Sequence, residues 1–427
     1  MARRTGVLGA GALGLTTALR LAQAGDEVVV VERETLAGGL AAGFQVGGAW
    51  LETYYHHLFR SDRAVQHLIA EMGLGDKLVW PRPITATLRD GRQRQLDSPL
   101  SLLLYKPIPP LDRLRMAAVL GYLRLEKSHS RLEGQTAAAW LRRWMGHRGY
   151  EIQWEPLFKG KFGALHEEIA LPWFWARIHQ RSAELGYLRG GFQQLYNRLA
   201  ERVGQAGGQL LFGRTVDRIA PQSSGMVRVS LDGGEEMDFH RVVSTLPTRL
   251  TLRLTPAMPD TFRERYDWGT AYGAHCLILE MDRQFGDVYW LNINDPGYPF
   301  LALVEHTNYM SPADYGGKHL MYLGNYVPMD DPLMTMPKEE ILARYLPALR
   351  RINPAFRDEW VTGVHSFAAP YAQPIVTPDY AAHIPPHVTP IKNLYMANMF
   401  QVYPQDRGQS YSVAMAERLS RRLTRTD

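Results

Sequence analysis

Near its start the chain reads Gly9-Ala10-Gly11-Ala12-Leu13-Gly14, followed by Glu32 and then by Gly38-Gly39. Glycine-rich turns are common, and this one constrains the fold because a strand, a helix and an acidic residue stand in place around it. Val7-Leu8 reads as the end of a short buried strand. Leu15 to Ala24 reads as a helix with its apolar face on Leu15, Leu19 and Ala22, and Val28 to Val31 as a second strand. In such a turn the first glycine permits a sharp reversal, the second lets backbone approach a pyrophosphate, and the third lets helix and strand pack closely. The opening residues of the helix, Ala12 and Leu13, then present free N–H groups and the positive end of the helix dipole to the phosphates. Glu32, ending the second strand, is expected to accept hydrogen bonds from a ribose diol. The pattern predicts an α/β fold with a dinucleotide site.

The run Glu32-Arg33-Glu34-Thr35-Leu36-Ala37-Gly38-Gly39 resembles the extended fingerprint of FAD-dependent enzymes of the amine oxidase, protoporphyrinogen oxidase and phytoene desaturase superfamily. Backbone at Gly38 and Gly39 can run close to the pyrophosphate or ribityl chain, since no side chain intervenes. Where the family has Arg after the pair, this chain has Leu40, so that phosphate contact must come from elsewhere. Arg33 is a candidate, the alternative being a solvated surface charge. The segment Leu188 to Leu195, with the following Thr215-Val216-Asp217-Arg218-Ile219, is similar to the part that returns the chain to the FAD domain, which implies Val216 as a backbone contact to adenine. Arg241 to Pro247 resembles the strand that closes the layer. At the last strand the family commonly ends in Gly-Asp, whereas Ala397-Asn398 stands here; the Asn398 amide can still hydrogen-bond a ribityl hydroxyl. The resemblance further implies that a final helix, from about Gln409 to Leu423, aims its positive end at the flavin, with Gly408, Gln409 and Ser410 beside the cofactor.

A chain of 427 residues is too long for one compact core. The resemblance implies a Rossmann-type FAD-binding domain from residues 1–60, 187–250 and 386–427, and a discontinuous α+β substrate domain from 61–186 and 251–385. The first insertion has helical spacing of apolar residues at Arg63 to Met72, Asp112 to Leu132 and Gln135 to Met145. The second alternates like strands at Ala274 to Met281, Tyr289 to Asn294, Phe300 to Glu305 and His319 to Leu323, with a helix from Lys338 to Leu349. Lys and Arg number 48 against 43 Asp and Glu without a dense basic block, so nucleic acid is not indicated. The single cysteine, Cys276, lies in an apolar run and excludes intramolecular disulfides; no cluster of cysteine and histidine points to a metal. A cytoplasmic setting is expected from the absence of a signal peptide. Leu111 to Arg131 reads as a basic amphipathic helix. Packing within the substrate domain is its expected fate, and peripheral docking on a membrane the alternative.

Residues for chemistry are sought around the flavin ring. His56 and His57, in Tyr54-Tyr55-His56-His57-Leu58-Phe59, follow the glycine pair at the distance where family members pass the ring. They are candidates to bind substrate, relay a proton or wall the pocket. Tyr403 and Arg407 are candidates from the loop before the last helix, and Lys161 from an aromatic, glycine-punctuated loop. The resemblance implies a two-electron oxidation of a small-molecule substrate in which a C–H hydride passes to flavin N5. Lipophilic substrates occur among such enzymes. The stretch Gly38 to Phe59 is also similar to UDP-galactopyranose mutases, redox-neutral flavoenzymes on a sugar nucleotide. That reading needs a cationic diphosphate clamp, and no pair of arginines declares one. A non-catalytic flavin-binding protein is the third possibility.

Overall fold

The computed structural model describes residues 2–425. The strands Arg4–Leu8 and Glu27–Glu32 are buried at nearly every inner position, as parallel strands covered on both faces are. They lie inside a five-stranded parallel sheet ordered Leu394–Met396, Arg241–Ser244, Arg4–Leu8, Glu27–Glu32, Gln209–Phe212. From the central first strand the chain builds first to one side and later to the other. Ligands in such sheets collect at this switch, beyond the carboxyl ends of the strands.

The first helix, Ala12–Gln23, starts earlier than its apolar face suggests, because extended backbone at Gly11 (φ −76°, ψ −176°) caps it at once. The last helix, Gln409–Arg425, packs beside it. Arg20 ties the two, its Nε donating to Glu417 at 2.8 Å while its other nitrogens reach Glu71. The start and end of the chain therefore form one layer.

A second, seven-stranded sheet runs in the order Val361–Pro374, Ala271–Met281, His319–Val327, Ala302–Glu305, Trp290–Ile293, Thr85–Arg89, Arg92–Gln95. Its last two strands come from the insertion expected to be helical. Thr85-Ala86-Thr87-Leu88 is fully buried and pairs in parallel with Trp290–Ile293. Threonine lowers the hydropathy of this run while favouring the pleated conformation, which hid the strand from a reading of helical spacing.

The helices expected elsewhere form at Arg63–Glu71, Ala137–Met145 and Lys338–Ile352. The basic helix is Pro110–Leu125, shorter than expected. Beyond Leu125 the Glu126 carboxylate accepts from the Ser128 N–H, and Ser128 Oγ accepts from the Ser130 N–H. These local bonds compete with the helix and end it, so Lys127 and Arg131 leave its face. Met116 and Leu123 are buried, whereas Leu111, Leu114 and Leu125 are 68%, 59% and 78% exposed. Among the described residues no helix is long and apolar enough to cross a membrane.

Candidate active site

One cavity of about 1960 Å³ is lined from both sheets. A pocket for one drug-sized ligand occupies about 300–1,000 Å³, so there is room here for more than one molecule.

At the switch of the parallel sheet the cavity is walled by Gly9, Gly11, Ala12, Leu13 and Gly14. Gly9 has a φ of +104°, a conformation that disfavours a side chain, and a Cβ on Gly14 would stand 1.9 Å from the Gly9 carbonyl oxygen. A Cβ on Gly11 would meet no protein atom closer than 3.9 Å, so the space there is kept clear beside the cavity. The Gly38 N–H donates to the Ala10 carbonyl at 2.9 Å, bringing Gly38, Gly39 and Leu40 to the same wall. Glu32 accepts from the Ala10 N–H at 2.7 Å and from the Glu34 N–H at 2.9 Å, which fixes its carboxylate at the strand end. Val216 begins the strand on the rim. Arg33 reaches the cavity edge, but its guanidinium pairs with the neighbouring Glu34 at 2.8 Å and is largely exposed.

The carboxy-terminal segment closes on the same space. Asn398 lines it, with Oδ1 accepting from the Phe400 N–H at 3.0 Å and Nδ2 donating to Thr248. Gly408 and Gln409 line it at the start of the last helix. Gln409 Oε1 accepts from Tyr196 at 2.6 Å, while its buried Nε2 has no partner among the described residues. Two candidates must be corrected. Ser410 turns into the packed side of the helix and does not line the cavity. Tyr403 also lies off the lining: its hydroxyl donates to Glu133 at 2.6 Å and its ring stacks on Tyr380.

The far chamber is aromatic and cationic. His56 and His57 both line it. Burial, with Arg407 nearby, pushes His56 down to about 4. His57 is pushed down to about 3 by burial and by Arg181, His56 and Arg177. Both rings are neutral at pH 7. His56 Nδ1 lies 2.6 Å from the Tyr54 carbonyl, and the buried His57 Nδ1 has no partner among the described residues. Lys161 is on a helix, Glu155–Phe162, rather than in a loop. Its Nζ is 3.2 Å from Asp406 Oδ2 and 5.3 Å from the centre of the Trp173 ring. Burial brings Lys161 down to about 8, Asp406 opposing and Arg177 assisting. Arg407 binds Gln373 and donates to the Tyr326 hydroxyl at 2.7 Å. Arg177 NH1 lies 2.5 Å from Asp406 Oδ2. Burial alone would raise the Asp406 carboxyl, but Lys161, Arg177 and Arg407 together hold it below the ordinary carboxylate range.

Comparison with known proteins now decides the family. The family model for flavin-containing amine oxidoreductases matches residues 14–404. The chain belongs to that family. It is 43% identical over 75 residues to the 15-cis-phytoene desaturase of Narcissus pseudonarcissus, a stretch that is 17% of this chain and only 13% of that relative. Two solved structures share the fold at low identity. Reduced UDP-galactopyranose mutase superposes with a TM-score of 0.79 at 14% identity, covering 100% of this chain and 96% of the other. Putrescine oxidase bound to putrescine gives 0.71 at 16% identity, covering 99% of each.

That family is one of flavin-containing amine oxidoreductases, which implies a flavin as the bound group. The residues present fit FAD: two helix N-termini, the clear space at Gly11 and the Gln409 donor, unpaired among the described residues, line the cavity and suit a ligand rich in acceptors. The sequence reading missed Arg177, Arg181 and Trp173. Arg177 lies in the last turn of the Leu171–Gln180 helix and Arg181 in extended backbone just past its end, so no helical spacing announced that both would line one cavity. The statement that no arginine pair declares itself is corrected by their place in that cavity.

Proposed function

We propose that this oxidoreductase acts on a C–H bond of a small molecule with an apolar body, held in the far chamber. The observation carrying this reading is that the glycine cradle and the start of the last helix wall one end of a cavity whose other end is lined by aromatic side chains such as Phe158, Phe174 and Trp290. When bound, FAD supplies the two-electron chemistry, a hydride passing from the substrate to N5. Gly9 to Gly14 and Gly38-Gly39 would hold the pyrophosphate, Glu32 the ribose, and Gln409 an acceptor atom farther along. The aromatic walls orient the substrate and exclude water. His56 and His57, neutral at pH 7, bind by hydrogen bonding rather than by charge. Lys161, brought down to about 8, is the group suited to hold or pass the accompanying proton at Nζ.

Purified protein should be yellow and release FAD on denaturation. Anaerobic mixing with a true substrate should bleach it; a colourless protein that cannot be reconstituted sinks the proposal. The cationic chamber favours a second reading, the redox-neutral conversion of a sugar nucleotide. Turnover of such a compound without consumption of any electron acceptor would establish it.

A further inference from the structure

The far chamber holds more positive charge than its own acids satisfy. Its cations are Arg82, Arg124, Lys161, Arg177, Arg181 and Arg407, and its acids are Asp62, Asp97 and Asp406. Asp406 is already saturated: Oδ2 takes Lys161 and Arg177, and Oδ1 takes Gln373 and the Arg407 N–H. Asp62 is engaged by the Phe59 N–H at 2.8 Å, and Asp97 by Gln95 at 2.7 Å. Arg124 is spent differently, donating to the carbonyls of Ile178, His179 and Arg181 and so fixing the end of the Leu171–Gln180 helix. Arg181, just past that end, has no described hydrogen-bond or ion-pair partner for its guanidinium.

Arg181 is accessible along the cavity it lines, yet protein surrounds it closely enough that burial, with Arg177 adjacent and Asp97 opposing, pushes it below its ordinary value. Trp173 stands between Lys161 and Arg177, whose charges lie 5.3 and 5.1 Å from its ring centre. The Trp173 Nε1 donor is buried and has no partner among the described residues. Guanidinium, ammonium and indole N–H groups are donors without acceptor capacity. A chamber with these groups left over is complementary to an anion and repels a cation. The wall also carries an apolar stretch, from Leu102, Met116, Ala117 and Leu120 to Phe158 and Phe174.

We propose that Arg177, Arg181, Lys161 and Trp173 form a subsite for an anionic head group, a carboxylate or a phosphate, on a substrate whose apolar body lies along that wall. The proposal rests on the cavity being the substrate site of the oxidoreductase described above. It also separates this protein from oxidation of free cationic amines. The Pro110–Leu125 helix supports an amphiphile, since it walls the chamber with Met116 and Leu120 while presenting Leu111, Leu114 and Leu125 to the outside.

The test is calorimetric titration of the FAD-loaded protein with dodecyl phosphate, dodecanoate, dodecanol and dodecylamine below their micellar concentrations, and with UDP. One of the two anions should bind at least about tenfold more tightly than dodecanol, with dodecylamine weakest, and which anion wins identifies the head group. Arg181→Gln and Arg177→Gln should each remove most of that preference without changing dodecanol affinity, and Arg181→Lys should keep part of it. Equal affinities, or preference for the amine, would overturn the subsite. UDP binding more tightly than either anion would overturn the amphiphile. The wild-type comparison needs no variant to fold, and full FAD retention without charge preference refutes the subsite while leaving the oxidoreductase reading intact.

Discussion

The cradle end and the cationic end of the cavity differ in how far along the chain their parts are gathered. Most of the cradle comes from residues 9–40, and its shape is backbone: positive φ at Gly9, Gly38 and Gly39, and a helix start at Ala12. The cationic end is assembled from side chains at positions 161, 177, 181 and 407, on three separate segments. Backbone cradles tolerate little and recognise what is common to all nucleotides. Side-chain chambers can be rebuilt without disturbing the sheet, which is why one fold hosts many substrates.

The largest expected effect falls at the cradle. Gly14→Val should cost more than about 4 kcal/mol or prevent folding, because its Cβ would overlap the Gly9 carbonyl. Thermal unfolding and flavin absorbance would show it; near-normal FAD content would show that the cradle yields. Next, Glu32→Ala should weaken FAD binding by about 1.5–3 kcal/mol, the range of a charge-assisted hydrogen bond. Its Kd, measured by reconstitution of the apoprotein, would be unchanged if the ribose lies elsewhere.

At the other end the expected effects are smaller and pH-dependent. The unfolded chain protonates His56 as pH falls below about 6.5, while the native site resists until about 4. Between those values the unfolded state binds more protons, so this residue's contribution to stability is lost as pH falls through the window. His56→Gln should therefore lose less stability than wild type between pH 7 and about pH 5 in urea titrations. Parallel losses would mean the ring is more hydrated than its surroundings imply. The smallest effect belongs to Tyr403→Phe, outside the cavity. It should leave turnover and FAD binding unchanged and cost about 1 kcal/mol of stability through the lost Glu133 bond. A changed turnover would return Tyr403 to the site.

Legibility followed the same division. Glu32 and the glycines could be placed from spacing, because strand, turn and helix follow one another without interruption. Tyr403 could not be separated from Arg407 four residues later, because a loop has no periodicity to say which way a side chain points. Lys161 was assigned to a loop on the strength of Gly160 and Gly163, although Glu155–Phe162 is helical in its packed setting. Tertiary contacts outweighed the weak local preference of a single glycine.

By itself the sequence determined the opening strand–turn–helix–strand unit, its glycine turn and the family likeness carried by residues 9–40. Each depends on residues near enough in the chain for local stereochemistry to enforce their geometry. Only the tertiary structure decided that Lys161, Arg177 and Arg407 share the Asp406 carboxylate while Arg181 beside them is left over. Such a balance depends on which side chains meet across segments more than two hundred residues apart, and no local rule carries that information.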